Sequence, residues 1–570
     1  MLKKGVWGVA ALVLLLALVV LVTYRWLNPP PPAAQLFING TIITMDSDHP
    51  QATAMLVRRG DIIALGDAKT LKAQASRDVR LIDLQGGVLM PGFIEANGHF
   101  PGEGLSAVAV DANSPPLGDL YSIEDLLSRL RMLAQKRPGG WLLAYGFDNT
   151  SVGEKRYPTR EELDSISDSR PILVMHSSGH QGVANSAALR AMGITDRTAD
   201  PQGGHYGHDA QGHLNGQLVA SAFDPFREAA LKFSALDGIQ VLRKAAQIYL
   251  SRGITFAQNS RVTPAMIGNL RPALELGVVP LRLMLWPTAQ AEQLRHRGRL
   301  PFPVSSRLYL GAVKLVSDGS IQGYTAFLNE PYYQLPDDYP ENYVGFPATA
   351  EAKLADQVKT FHCQGRQVAI DANGDAAIDR ALDAIAAARQ ACPAVTVQPV
   401  LVHALMATDQ QLDRMAALHV IPSFGNAHVY YWGDRHRHVF LGPKRAGRIS
   451  PLASAAARGL PFTLHADSPV VPFQPLQLAW NAVYRYTASG EQLGPDQAIG
   501  VQRALRALTL DVAKQLGVAD QVGSLQPGKR ADLVWLDRDP RQFLKAWNTI
   551  QVRGTWVGGV RRFPAGQLAN

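Results

Sequence analysis

Along the middle of this chain, short apolar runs end in a histidine, lysine or aspartate, and helical patterns lie between them. That alternation constrains the fold more than any other feature. The strand-like runs are Pro171–Met175, Ile254–Ala257, Leu281–Trp286, Leu308–Val316, Gln367–Asp371, Pro399–His403, His419–Phe424 and Pro461–Asp467. Among the intervening segments Ala376–Ala388 is the clearest helix, with Ile378, Leu382 and Ile385 on one face. Alternation of this kind implies a parallel sheet covered by helices. When such units close into a barrel, functional side chains gather at the C-terminal ends of the strands. Pro91–His99 (PGFIEANGH) reads as the entry to the series: an apolar strand from Gly87 to Ile94 that runs into Asn97 and His99. Side chains two positions apart on a strand share a face, so Asn97 and His99 point the same way. A His-x-His there would be a metal claw; Asn97 departs from it.

The ends of the chain have a different texture. Leu36–Gly40, Thr41–Met45, Ala54–Val57 and Ile62–Gly66 read as short strands separated by turns, as do Ala531–Asp537 and Thr549–Trp556. Residues 35–86 and 521–570 are therefore expected to build one composite β-sandwich domain around a barrel at 87–520. Residues 101–240 are too long for one ordinary strand-to-helix loop and are read as an insertion. Ahead of them, Lys3 and Lys4 precede an apolar run from Gly5 to Val22, followed by Tyr24, Arg25 and Trp26. As a helix, roughly 18 residues at about 1.5 Å each span most of a ~30 Å hydrocarbon core. Residues 1–27 are accordingly read as an uncleaved signal anchor, a transmembrane helix, with a cleaved secretory signal as the alternative and 28–34 a proline-rich linker. The two lysines predict a single-pass membrane protein whose catalytic part faces the periplasmic or extracellular side.

With 46% hydrophobic and 18% charged residues, the 570-residue chain has ample material for a large core. The net charge of +8 includes no basic run interleaved with aromatics, so no nucleic-acid partner is expected. Cys363 and Cys392 lie in no Cys-x-x-Cys or zinc-ribbon spacing, so no disulfide framework is indicated; pairing in an oxidising compartment stays open.

The chemistry-bearing positions are Asn97 and His99, Lys314, Asp371, His403, and His465 with Asp467. Singly, each has an ordinary explanation: a hydrogen-bonded histidine, a paired buried lysine, an aspartate capping a helix. Their succession at the ends of alternating strands is harder to explain that way. Pro91–His99, Val313–Ser320 (VKLVSDGS), Asp371–Asp379 (DANGDAAID), Val402–Ala404 (VHA), Ala466–Val470 (ADSPV) and Gly523–Val534 (GSLQPGKRADLV) resemble, in one order, the motifs of the amidohydrolase superfamily. Within it, the chain looks like the amidohydrolase-3 branch, which includes N-substituted formamide deformylase-like enzymes. The resemblance implies a (β/α)8 barrel with a small β-sandwich. It implies a divalent metal of the zinc type, one or two ions. Asn97, His99 and Asp467 fall where the family holds one ion; Lys314, sometimes carboxylated in the family, Asp371 and His403 fall where it holds a second. Asp467 would serve as general base, and His403 would hold metal or polarise the carbonyl.

Asn97 and Asp371 replace histidines of the family pattern. An amide oxygen is a poor zinc ligand, whereas a carboxylate is a good one. His465, two residues before Asp467 on the same strand, is a candidate to supply the imidazole lost at position 97; the alternative is that it only hydrogen-bonds in the pocket. His180 and His428 are candidates for substrate contact; His205, His208, His436 and His438 are read as loop or surface residues. The resulting expectation is a membrane-anchored, metal-dependent hydrolase of non-peptide carbon–nitrogen bonds, of amide or formamide type, acting on a small molecule. The alternative is a degenerate barrel that only binds a ligand, or one that works as a lyase or isomerase. The resemblance also admits a homodimer.

Overall fold

A computed structural model describes all residues except 1–14, 16, 17, 20, 76, 77, 178, 180, 202, 203, 301–303, 337, 338 and 565–570. The chain is mixed α/β and divides into two compact units. One comprises the segments up to Phe100, Ala246–Pro469 and from Phe473 onward; the other comprises Pro101–Ala245 and Val470–Pro472.

In the first unit, both ends of the chain form two facing sheets. Ala34–Ile38 lies between Ala54–Arg58 and Arg80–Asp83 in one. In the other, Val88–Pro91 lies between Thr41–Ile43 and Leu533–Leu536. Neighbouring residues of a strand point to opposite faces. Phe37 accordingly enters the layer between the sheets with Ile42, Met55, Leu89, Leu533 and Trp556. Leu36 points the other way, into a smaller cluster with Leu56 and with Leu71 of the helix Ala68–Gln74.

The same unit contains a ring of parallel strands. In order they are Phe93–Ile94, Ile254–Val262, Arg282–Pro287, the pair Leu308–Leu310 and Val313–Val316, Val368–Ala372, Val400–His403, Ile421–Phe424 and Thr463–Leu464. A parallel bridge from Thr288 to Lys314 joins the third member to the fourth, and one from Gly98 to Ser468 joins the last to the first. The ring is therefore closed, and its strand ends converge. Ile94, Phe256, Met284, Ala369 and Val402 are fully buried together.

Two expected strands are each interrupted, for steric reasons. The run Gly87–Ile94 breaks at Gly92: Val88–Pro91 pairs with the sandwich strand Leu533–Leu536, and only Phe93–Ile94 joins the ring. A Cβ at Gly92 would lie 2.3 Å from the Thr255 side chain, so the close crossing needs glycine. Leu308–Val316 breaks at Gly311, where a Cβ would lie 2.3 Å from the ring of buried Trp286.

The second unit carries a six-stranded mixed sheet. Val110–Asp111, Leu142–Phe147 and Ile172–His176 are parallel, and Gln181–Ala184, Leu214–Ala220 and Gly204–His208 follow antiparallel. Helix Ile123–Lys136 starts at a Ser122/Asp125 capping box and buries Leu126, Leu127 and Leu130. Asn185 accepts from the Ile172 and Ala188 amides and so caps the next helix.

The membrane reading is corrected. Among the described residues no helix is long and apolar enough to cross a membrane. About 20 apolar residues are needed to span a bilayer. Near the start of the chain the described helical stretch is residues 21–27, with isolated positions at 15, 18 and 19. The rest of Gly5–Val22 lies outside the described residues. The transmembrane helix, the single-pass location and the partnership with a membrane are all withdrawn with it. Cys363 and Cys392 form a disulfide, with Cα atoms 5.5 Å apart; nothing in their local spacing signalled it.

Ring and sandwich meet at one buried ion pair. Arg282, opening the third ring strand, gives Nε to Asp532 Oδ2 at 2.6 Å and Nη2 to Oδ1 at 3.1 Å. Asp532 immediately precedes the sandwich strand Leu533–Leu536, and both side chains are under 5% exposed. Removing one member strands a buried charge, which costs about 3–5 kcal/mol. Asp532→Ala is thus expected to lower the unfolding free energy by that amount, read from urea midpoints at constant m. The Arg282→Met, Asp532→Leu pair should recover most of the loss.

Candidate active site

The converging strand ends bring together all of the expected metal-site residues. Asn97 Nδ2 donates to Asp467 Oδ1 at 2.7 Å, and Asn97 Oδ1 accepts from Lys314 Nζ at 2.8 Å. Lys314 Nζ reaches Asp371 Oδ1 at 2.7 Å, and Asp371 Oδ1 lies 3.4 Å from His403 Nε2. The His403 ring stands 5.0 Å from that of His465, edge to face. His465 Nδ1 lies 3.4 Å from Asn97 Nδ2 and closes the circuit. His99 Nε2 joins from outside, 3.3 Å from Asp467 Oδ1. The Lys314 side chain is 2% exposed, those of Asp371 and Asp467 17% and 22%, and that of His99 35%. The cation thus sits at the floor and His99 at the mouth.

Local backbone geometry aims these groups. Neither Asn97 nor His99 is in the ring strand itself; both follow it, where the chain folds back over the strand end. Glu95, fully buried, accepts from the Tyr249 hydroxyl at 2.9 Å and from the Gln258 amide at 3.0 Å. Its carboxylate lies where a Cβ of Gly98 would be, 2.0 Å away, so glycine lets the turn pass beneath His99. His403, Ala404 and Asp467 have φ of 72°, 46° and 57°. Non-glycine residues held there cost on the order of 1–3 kcal/mol each, and such positions cluster at functional sites.

Neighbouring charges of both signs shape the ionisation of these groups. Burial alone would raise the Asp371 carboxyl, but the Lys314 ammonium and His403 hold it well below the usual range. Asp467 is likewise held low against burial, by His99 and His403. Burial would lower His403, yet Asp371 and Asp467 raise it overall. His465 is pushed well below its ordinary value by burial and by its cationic neighbours. Two ring nitrogens in the circuit, His403 Nδ1 and His465 Nε2, are buried with no hydrogen-bond partner.

Imidazole and carboxylate, as in His99, His403, His465 and Asp467, are donor types that suit a zinc-type ion. Among the described residues no three His, Cys, Asp or Glu side chains already converge as a ready-made metal cage. Lys314 and Asn97 stand between the two carboxylates and keep them apart.

The remaining candidates fall elsewhere. His180 lies outside the described residues. His176 is in the second unit, 4.0 Å from Asp148; His205 and His208 lie on the strand Gly204–His208, His205 paired with Asp200. His428 follows the seventh ring strand: its amide donates to Gly425 O, and the Gly425 amide donates to His403 O. Sequence reasoning placed His436 at the surface, but it is fully buried, in a π-helical turn, and its Nε2 lies 3.1 Å from His428 Nδ1. Aromatic residues at 430–432 are the one sequence hint that this segment packs inward.

The sequence profile of the Amidohydrolase family matches residues 80–563. The chain is 30% identical over 541 residues to the N-substituted formamide deformylase of Arthrobacter pascens, covering 93% of this chain and 98% of that one. It is 28% identical over 537 residues to the putative amidohydrolase YtcJ of Bacillus subtilis, covering 91% and 97%. Among solved structures it is similar to an uncharacterized metal-dependent hydrolase from Pyrococcus horikoshii, with TM-score 0.73 and 25% identity, over 89% of this chain and 98% of the other.

The histidine pair makes stability pH-dependent. Burial, with positive His403 nearby, pushes His428 from 6.5 down to about 3, and burial pushes His436 well below 6.5. Unfolded, both take up protons at their ordinary values; folded, they do not. The unfolded state therefore binds more protons between about pH 3 and 6.5, and stability falls as pH drops through that window. Urea midpoints at pH 7 and 5 should show the decline, and the His428→Gln, His436→Gln variant should flatten it.

Proposed function

This chain belongs to the amidohydrolase family, hydrolases of non-peptide carbon–nitrogen bonds, and from that premise we propose that it is a metal-dependent hydrolase of small amide-type substrates, N-substituted formamides or N-acylamino acids among them. The closed circuit of side chains at the strand ends, with two orphaned imidazole nitrogens, is the observation that carries this reading. His99, His403, His465 and Asp467 would hold the ion. Bound there, a zinc-type ion supplies Lewis acidity toward water and carbonyl oxygen.

The chain's own residues supply the rest. Asp467 is the general base. Its Oδ1 takes the contacts from Asn97 and His99, which leaves Oδ2 as the oxygen for the proton of the attacking water. Held low, the carboxylate is ionised at neutral pH and ready to accept. The same carboxyl then returns the proton to the leaving nitrogen. Lys314 and Asn97 fix its orientation from below, and His99 borders the approach at the more exposed end.

A positioned general base contributes about 10²–10⁴-fold. Asp467→Asn is accordingly expected to lower kcat by that factor on panels of formamides and acylamino acids, and chelation should abolish turnover until metal is restored. Turnover that survives both exhaustive chelation and the loss of Asp467 is incompatible with this reading. His465→Ala is expected to lower the metal bound per chain; unchanged metal content would remove His465 from the ligand set.

A further inference from the structure

A second cation on the Lys314 side of the pocket would need that lysine turned from a donor into a ligand. We propose that Lys314 instead stays an unmodified ammonium and, held by Asp371 and Asn97, fills the place of a second ion, so that the chain binds at most one metal ion. The inference deepens the proposed function and rests on it for the ion at His99, His403, His465 and Asp467.

The groups in direct contact with Nζ among the described residues are electron-rich. Asp371 Oδ1 lies at 2.7 Å, Asn97 Oδ1 at 2.8 Å, and the face of Trp286 has its centroid 5.7 Å away. An ammonium offers three donors and no acceptor, which matches these neighbours. Carboxylation would form an N–C bond to carbon dioxide, release two protons and leave an anion. That anion would face the Asp371 carboxylate and the Asn97 carbonyl, and the 2% exposure of the Lys314 side chain admits little water to separate them. Asn97 cannot turn to help. A flip would aim its NH2 at Lys314 and its oxygen at Asp467 Oδ1, now 2.7 Å from Nδ2.

The two departures from a histidine ligand set thus belong together. Asp371 supplies the countercharge that keeps Lys314 an ammonium. Asn97 carries the polarity across, accepting from the cation and donating to the base. Hydrogen bonds in such a chain polarise one another, so Lys314 acts as a positioning residue for Asp467 through the amide.

The full chain, loaded with Zn2+ in 13C-labelled bicarbonate, tests this by two readouts. Carbon-13 NMR reports carbamate, and elemental analysis reports ions per chain. No carbamate resonance and one ion are expected. A carbamate resonance that disappears in Lys314→Arg, or two tightly held ions, overturns the inference. No ion together with no carbamate leaves the lysine assignment standing and overturns the proposed function instead, so the two failures are distinct. In the Asn97→His, Asp371→His variant, checked for folding by circular dichroism, stoichiometry should rise to two and the carbamate should appear. A folded variant that shows neither would refute the claim that these two partners hold Lys314 as an ammonium; should it not fold, the wild-type measurements decide alone.

Discussion

The pocket is organised around the ion pair of Lys314 and Asp371. The two residues sit on adjacent parallel strands, in a register that sets Lys314 beside Ala369 and Asp371 beside Val316. They are diagonal neighbours, and the four-carbon stem of the lysine closes the gap. In the interior such a pair contributes little net stability, because desolvation offsets attraction, yet losing one member leaves a charge that nothing else can neutralise. The pair therefore fixes the two strand ends relative to each other. Asn97 extends that constraint to the first strand and Asp467 extends it to the last. One ammonium thereby sets the orientation of groups drawn from three other places in the ring.

Polarity grades outward from that floor. The lysine is sealed, the carboxylates are partly covered, and His99 is a third exposed. Left-handed backbone at His403, Ala404 and Asp467 turns the chain sharply just past the strands, so the side chains return over the ring instead of trailing into solvent. A loop in isolation would relax out of these conformations. The strands beneath hold them through parallel pairing, and the third strand is tied to the sandwich through Arg282 and Asp532.

Much of this was legible in the sequence because a polar residue closing an apolar run is a local signal with a local cause. Each ring strand needs apolar side chains along most of its length, so a polar residue at or just past its C-terminal end stands out; Asp371, His403 and Asp467 stand at such places, and Lys314 interrupts the apolar run of Val313–Val316 from within. What escaped reading was set by partners remote in sequence. Gly87–Ile94 is one run by composition, but Leu533–Leu536 claims its first half and Ile254–Val262 its second. Leu308–Val316 breaks because Trp286, on the neighbouring strand, needs the space at Gly311. The Cys363–Cys392 bond joins the ends of helices Glu351–Cys363 and Asp375–Ala391, whose packing no spacing rule reports. His436, in the cluster His436-Arg437-His438, reads as a surface residue; the π-helical turn sends it inward nonetheless. At the start of the chain, apolar composition suggested a span that no described helix provides.

Asn97 shows how one residue type can direct a site. An imidazole at Asn97 could accept from Lys314 and donate to Asp467 much as the amide does, but it would also compete for a zinc-type ion, and metal binding and hydrogen bonding would exclude each other at that ring. An amide oxygen is a weak partner for such an ion and a strong one for an ammonium. With Asn97 the competition disappears: the amide stays in the polar chain from Lys314 to Asp467. In the proposed arrangement an imidazole is supplied instead by His465, on the segment that carries Asp467. Base and ligand are then two residues apart, so a shift of that strand end would move both at once. The same shift would break the Asn97 contact to Asp467, which is 2.7 Å long and shielded from water at its amide end. Orientation of the base and retention of the ion are in this way made to depend on one short piece of backbone.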